Sequence, residues 1–404
     1  MSTPLLYHGF NVRGYELVEI RYEDDTMLLV VRQKDEDLRC PVCHSRHVIR
    51  RGCVPRAIRT VPIGSTPVKI LLDVPRLACR DCNRIRQASI RFAQPRRSYC
   101  ETFERHVVEL SRRMTLQDVA QHLNVGWDLV KEIVKRSLEK RYKKIRLRDL
   151  RQIAIDEICI GSGHNYVTVV LDLLSGAVVH VGDGKGGDAL KPFWKRLRGA
   201  HAKIEAVAMD MSPAFLAAVV KHLPKAAIVF DHFHVIKLYQ EKLSQLRRDL
   251  YREATELLHK KVLKGTRWLL LKNPDHLDEG KDEPRRLREA LELNEPLALA
   301  YYMKEDLRRI WHQASKRAAK RLLTDWICRA ERSGIAMLSK FAKTLGMARN
   351  QILAYYDYRI STGPLEGTNN KIRVLQHNAY GFRDKEFFKL RIYALHELKF
   401  KLVG

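Results

Sequence analysis

Between residues 152 and 231 the chain changes its hydrophobic period so often, and at such short intervals, that few folds can hold it. QIAIDEICI, NYVTVVLDLLS and GAVVHVGDG are three apolar, β-branched runs with short turns between them, and they read as consecutive strands. GGDALKPFWKRLRG then has helical spacing, IEAVAMD is a strand again, SPAFLAAVVKHL a helix and AAIVFD a fifth strand. The order β-β-β-α-β-α-β is that of the ribonuclease H fold, a mixed sheet in which the first and fourth strands are neighbours.

Two of these strands carry an acid. Asp156 sits on the first and Asp210 at the end of the fourth, 210 − 156 = 54 residues apart. That leaves room for two strands and one crossover helix. Glu366, in STGPLEGTNNKIR, follows a Gly-Pro turn and opens an amphipathic basic stretch, so it reads as a helix residue. Strand, strand and helix can bring three carboxylates onto two divalent metals. Paired metals stabilise both the attacking and the leaving oxygen of an in-line displacement, which suits the set to cutting or joining a phosphodiester. A single Asp at a strand end is more often a turn or cap residue; the ordered trio is what points to chemistry.

Glu366 lies 366 − 210 = 156 residues beyond Asp210, more than one further strand and helix require. Residues 232–350 read as an almost wholly helical insertion. Tyr239, Leu243, Leu246, Leu250, Ala254 and Leu257 keep a three-to-four spacing, further amphipathic helices run from Leu297 to Tyr356, and the loop NPDHLDEGKDEPRR interrupts them. Such stripes are ordinarily core. Their position after the fifth strand predicts a helical body overhanging the carboxylates.

Upstream, YELVEIRYEDDTMLLVVRQKD reads as a short hairpin. It leads into Cys40-Pro-Val-Cys43 and Cys79-Arg-Asp-Cys82, with strand-like segments such as TPVKILLDVPRLAC between. Two such knuckles bring four thiolates together, the set one structural zinc prefers, and metal binding then substitutes for a core too small to fold alone. A redox dithiol or coincidental spacing is the alternative; His44, His47 and Cys53 lie close enough to serve as other ligands. The remaining cysteines, Cys100, Cys159 and Cys328, are scattered, which argues against a disulfide framework.

MTLQDVAQHLNVGWDLVKEIVKRSL has the form of a helix-turn-helix, with Leu116, Val119, Ala120 and Leu123 toward a core, a turn at Asn124–Gly126, and a second helix from Trp127 to Leu138. That helix would present Trp127, Lys131, Lys135 and Arg136 to a major groove; a helical pair used only for packing is the competing reading. The run KRSLEKRYKKIRLRDLR follows, and Lys143, Lys144 and Arg146 would neutralise phosphates as an arm unless they are simply a solvated face. The whole chain agrees with a polyanionic partner: 404 residues carry 74 Lys and Arg against 47 Asp and Glu, a net charge of +27. A ribosomal or membrane-surface protein is the bland alternative. At 45% apolar content the chain is globular, and at roughly 150 residues per domain it holds two to four domains. It contains no run of about 20 apolar residues and no basic-then-apolar leader, so a cytoplasmic location and no membrane are expected.

Taken together, CPVC and CRDC, the helix-turn-helix, the IDE strand, VAMDMSPAF, VFDHFHVIKL, KGTRWLLLKNP and the ending GPLEGTNNKIRVLQHNAYGFRDKEFF resemble a bacterial insertion-sequence transposase of the DDE type, most closely the ISL-three family. The likeness runs nearly the length of the chain. It implies two magnesium ions, with manganese as a substitute, held by Asp156, Asp210 and Glu366. It also implies nicking by water at terminal inverted repeats, then attack of the freed 3′-hydroxyl on target DNA. Asp231-His-Phe-His234 resembles the Cys/Asp-x-x-His motif of transposases with an inserted helical domain, which gives Asp231 and His234 a supporting role and makes Asp231 the rival of Asp210 as second metal ligand. Where relatives often carry Asn before the Gly or Pro, this chain has Ser361-Thr362. Lys371 and Arg373, one to two turns past Glu366, would face phosphates or form a solvated face. Of Trp268, Trp311 and Trp326, one would stack on a flipped base, although a core role is commoner for any of them.

The expected architecture is therefore multidomain α/β. Residues 1–95 form a β and zinc module, 96–150 a helix-turn-helix with basic linker, 151–231 the first part of a ribonuclease H-like core, 232–350 an all-helical insertion, and 351–404 the rest of the core. The expected function is a transposase acting on double-stranded DNA, with paired ends bridged by a homodimer or larger assembly. A catalytically silent DNA-binding regulator is the alternative, and a nuclease or resolvase without strand transfer is a weaker one.

Overall fold

In the computed structural model, residues 4–161, 165–255, 260, 262–264 and 266–396 are described. The chain divides into two compact units, Met1–Lys143 and Lys144–Gly404.

In the first unit, β1 (Tyr15–Glu23) and β2 (Thr26–Gln33) form the expected hairpin. Its two-residue turn puts Asp24 and Asp25 at φ 44° and 57°, the left-handed geometry that matches strand twist and that Asp tolerates better than bulkier residues. β3 (Val48–Ile63) and β4 (Thr66–Cys79) are much longer than the sequence suggests, antiparallel to each other, with β4 parallel to β2. The sheet order is β1-β2-β4-β3, and β5 (Ile85–Gln87) adds to the end of β4. Leu29, Ile58, Val68 and Ile70 fill its buried side.

Three helices follow: α1 (Glu101–Leu110), α2 (Leu116–His122) and α3 (Trp127–Tyr142). Thr115 starts α2 with a reciprocal capping box, its hydroxyl accepting the Asp118 N–H at 3.1 Å and Asp118 accepting the Thr115 N–H at 3.3 Å. Asn124, at φ 48°, makes the turn. Val119, Ala120 and Leu123 are buried, with Val130, Ile133, Val134 and Leu138 facing them from α3. The second helix runs four residues past the expected Leu138, because Glu-Lys-Arg-Tyr contains no breaker and mostly good helix formers.

The second unit is built on a five-stranded sheet of order β10-β9-β6-β7-β8. β6 (Gln152–Cys159), β7 (Tyr166–Asp172) and β8 (Val178–Asp183) are antiparallel; β9 (Ala206–Met209) lies parallel to β6, and β10 (Ala227–Phe230) parallel to β9. The expected adjacency of first and fourth strands is present. Period-two alternation gives the sheet two buried faces. Ile153, Ile155 and Met209 pack into one cluster with Phe193 and Trp194 of α4 (Lys191–Gly199) and Phe215 of α5 (Pro213–His222). Ala154, Ile158 and Ala208 pack on the other face with Leu365 and Ile372 of α12 (Gly363–Asn378) and with Phe388 and Ile392 of α13 (Lys385–Tyr393).

After β10 come α6 (His232–Glu253), α7 (Glu283–Glu292), α8 (Glu295–Arg309), α9 (Lys316–Arg332), α10 (Ala336–Met347) and α11 (Arg349–Leu353). Trp326 is fully buried, donates Nε1–H to Met303 O at 2.7 Å, and packs edge-on against Tyr239 and Phe341. The insertion is less helical than expected. Residues 266–282 are turns and short 3₁₀ pieces, broken by Asn273-Pro274 and Gly280, and the buried Lys304 ammonium donates to Leu270 O at 2.7 Å and Lys272 O at 3.1 Å. A side chain there replaces the helical N–H donors those carbonyls lack. Leu257 lies outside the described residues.

Candidate active site

Parallel pairing places Ile155 opposite Met209, so the next residue on each chain, Asp156 and Asp210, stands at the same level of the sheet. Alternation puts Asp156 with Ala154 and Ile158 on the face covered by α12. There the Asn369 amide donates to Asp156 Oδ2 at 2.7 Å, and Asp156 Oδ1 accepts the Glu157 N–H at 2.8 Å. Asp210 Oδ1 accepts the Ser212 N–H at 3.0 Å, a local turn that aims the chain into α5.

Asp231 N-caps α6 and is 2% exposed. Its Oδ2 accepts the Thr362 hydroxyl at 2.7 Å and lies 3.1 Å from His234 Nδ1; its Oδ1 is 3.4 Å from the Thr362 N–H. The carboxylate is thus engaged by the residue that N-caps α12. Glu366 sits in the first turn of that helix, its N–H bonded to Thr362 O at 2.8 Å. Thr362 and Asn369 are four residues before and three after Glu366, neighbours on one helix face, and both bond toward the acids. Glu366 is exposed and makes no side-chain hydrogen bond or ion pair among the described residues.

The electrostatics follow from this crowding. Burial raises the Asp156 carboxyl above its ordinary value; the Asp210 charge adds to this, and His234 offsets part of it. Glu157 is raised by burial and then by Asp210. Asp231 is pushed up by its burial, yet the hydrogen bonds from His234 and Thr362 outweigh that and leave it below the ordinary carboxylate value. The bond to Asp231 lifts His234, helped by the charges of Asp156 and Asp210 and opposed by burial. The result is a cationic imidazole facing uncompensated acids.

The donor set suits a hard dication, which takes oxygen ligands. Asn369 Oδ1 is buried and unpartnered beside Asp156, a further oxygen left over for such an ion or its water. The carboxylates do not crowd around one point: among the described residues the four cysteines are the one group of His, Cys, Asp or Glu with ligand atoms all within 4.8 Å of one another. In that cluster Cys40 Sγ is 3.6 Å from Cys82 Sγ and Cys43 Sγ 3.5 Å from Cys79 Sγ. Four sulfurs at about 2.3 Å from a tetrahedral zinc stand about 3.8 Å apart, so the thiols are spaced for the ion and not for disulfides. The backbone N–H groups of Cys43 and Val42 hold the Cys40 thiol down at about 6, which favours the thiolate a metal needs. Cys53 and His44 are outside this group; His47 turns to Asp81 at 3.1 Å.

Of the sequence-predicted DNA contacts, Trp127 is 42% exposed at the start of α3 with the Lys131 ammonium 5.4 Å over its ring. Lys135 is half-buried; Lys143, Lys144, Arg146, Lys371 and Arg373 are exposed. Arg136 is the exception. Its guanidinium bonds Glu104 at 2.7 Å and Tyr99 Oη at 2.9 Å, tying α3 to the start of α1 and its flank. Trp326 is core, Trp268 is 66% exposed and Trp311 only 5%. Thr362 and Asn369 were missed by sequence reasoning. The clue for Asn369 was its place three residues past Glu366; for Thr362 it was the position before a helix-opening Gly-Pro.

Residues 153–392 match a protein family described as transposase, residues 88–138 the helix-turn-helix domain of transposase family ISL3, and residues 37–82 the zinc-finger of transposases IS204, IS1001, IS1096 and IS1165. The chain is 31% identical over 393 residues to the transposase for insertion sequence element IS1001 of Bordetella parapertussis, covering 95% of each. It is 28% identical over 360 residues to the transposase for IS1557 of Mycobacterium tuberculosis, covering 83% of this chain and 80% of that one. Among solved structures, a Drosophila P element transposase strand transfer complex is similar at a TM-score of 0.39 and 11% identity, over 72% of this chain and 90% of that one; nothing below depends on it.

Proposed function

This chain belongs to the ISL3 family of transposases, and on that footing we propose that it cuts and joins DNA by a two-metal DDE mechanism at the terminal inverted repeats of its insertion sequence. Asp156, Asp210 and Glu366 are the ligands in this reading, for magnesium or its substitute manganese. The observation that carries it is the hydrogen bond from Asn369, on the helix of Glu366, to Asp156, whose strand neighbour ends at Asp210. Asp231 is the weaker candidate for second ligand, because its oxygens are already taken up by Thr362 and His234.

Bound metals supply charge stabilisation to the attacking and leaving oxygens. The chain's own groups do the rest. Asp156, Asp210 and Glu366 hold oxygens toward the scissile phosphate from two strands and a helix. Asp231 occupies His234 Nδ1, which leaves Nε2 to donate to a phosphate oxygen, and the raised basicity of that ring keeps the proton available. Thr362 fixes the helix start so that Glu366 stands one turn into the site. Asn369 orients Asp156. The water-driven nick leaves a 3′-hydroxyl, which then attacks target DNA.

Residues 1–95 are assigned to the zinc module, with Cys40, Cys43, Cys79 and Cys82 on one structural zinc, and 96–150 to the helix-turn-helix and arm. Residues 151–231 with 351–404 form the catalytic core, and 232–350 the insertion. Trp127, Lys131, Lys135, Lys143, Lys144 and Arg146 then read the element end, with Lys371 and Arg373 on phosphates nearer the cut. A dimer or larger assembly pairs two ends.

Incubation with magnesium and DNA bearing the element's ends should give nicked and joined products, reduced at least a thousandfold by Asp156→Ala, Asp210→Ala or Glu366→Ala. Unchanged cutting in all three would overturn the assignment. Retained cutting in Asp210→Ala with loss in Asp231→Asn would move the second ligand, and end binding without cutting under magnesium or manganese would favour a silent regulator.

A further inference from the structure

The first turn of α6, immediately after Asp231, borders a cavity of about 500 Å³, within the range of small-ligand pockets. Phe233 lines it and is 56% exposed, an unusual surface position for an aromatic ring. Lys237, one turn further along the same face, lines it too, as do Lys272 and Arg308. Lys272 is held by Glu283 at 2.6 Å and Arg308 stands 3.7 Å from Glu305; Lys237 has no carboxylate partner among the described residues. The wall also contains two buried nitrogens without partners, Trp311 Nε1 and His232 Nδ1. The latter is 3.6 Å from Asp231 Oδ1, too long for a hydrogen bond.

A ring with an open face, a free cation one turn away and unsatisfied nitrogens in the wall call for one ligand: a flat, acceptor-bearing, anionic group. An unpaired nucleotide has all three properties. A nucleotide within a duplex hides its faces in the stack and its pairing edge in the partner strand. We propose that this cavity receives a single unpaired nucleotide of the DNA being cut, its base stacked on Phe233 and its phosphate toward Lys237. The inference rests on the transposase reading only for the identity of the polymer. It also redistributes the aromatic roles. Trp326 is committed to the core, Trp268 does not line the cavity, and Trp311, at 5% exposure, has no open face to stack with. Phe233 is the platform, and Trp311 contributes an N–H that a base edge can satisfy.

The test uses the full-length protein without added magnesium, and a duplex with a single bulged 2-aminopurine beside its fully paired counterpart. The wild type should bind the bulged duplex about tenfold more tightly than the paired one and quench the probe. The ratio should fall close to one in Phe233→Ala, persist in Phe233→Tyr, and drop partly in Lys237→Gln. No preference in the wild type, or a preference that survives Phe233→Ala, would overturn the proposal. Because nothing is cut, the ratio is measured in Asp156→Ala as well. A preference retained there while the wild type proves unable to cut would sink the catalytic reading and leave the pocket standing; cutting without the preference would do the reverse.

Discussion

Asp231 shows how a buried carboxylate is kept ionised. It is 2% exposed, and the Thr362 hydroxyl and His234 ring hold it below the ordinary value of 3.8 despite its burial. The stability it lends is therefore present above that value and lost as pH falls through its lowered value in the fold. His234 is raised above 6.5 by the same bond, so its contribution is complete below 6.5 and lost as pH rises through the raised value. The pair is at full strength between about pH 4 and 6.5. Thr362→Val keeps the shape and removes the 2.7 Å bond, at a cost of about 1–3 kcal/mol. It should also move the acid limb of the stability curve to higher pH, as followed by thermal melts across pH 3–6; an acid limb like that of the parent would contradict this account. Asp231 and His234 were legible as a pair because three residues separate them at a helix start. Thr362 was not, because its partner lies 131 residues away.

Strands announce themselves through β-branched runs, and the five of the catalytic sheet fall where those runs do. Their spacing against neighbours is a different matter. Gly182 in β8 looks like any strand glycine, which usually marks a bulge or close approach. Here a Cβ would stand 2.1 Å from Ala189 O, a backbone atom that cannot swing aside. Gly182→Ala should therefore destabilise by about 1–3 kcal/mol or more and lower the melting temperature by several degrees; an unchanged melt would mean that the 187–190 turn yields freely. The segment 266–282 teaches the converse lesson. Its helical spacing was read from sequence, but Pro274 and Gly280 break it, and Lys304, far along the chain, satisfies the carbonyls it exposes.

For the whole molecule, a net charge of +27 favours phosphate partners at any geometry, and it is the zinc module and helix-turn-helix that turn general attraction into a particular register. The module's strands bury a modest core and end in the four thiols. Zinc removal by a strong chelator should sharply raise amide exchange across residues 37–82 and weaken binding to element ends. Exchange in the 152–231 sheet, which owes nothing to those cysteines, should hold. Protection retained throughout 37–82, or metal analysis well below one zinc per chain, would refute the site.

Sequence alone determined the parts that depend on local period and spacing: the strand order of the catalytic sheet, the two cysteine knuckles, the capped helix pair, and the candidate acids at strand ends and a helix start. Each of these is written within a few residues of itself. Only the tertiary structure decided which of those acids share space and what holds them. The neighbours of Asp156 and Asp231 come from α12, more than a hundred residues downstream, and a hydrogen bond across that distance leaves no periodic trace. The same holds for the tryptophans, since exposure belongs to the packed fold: Trp326 in the core, Trp311 in a wall, and Phe233, not singled out by its sequence, on the open face.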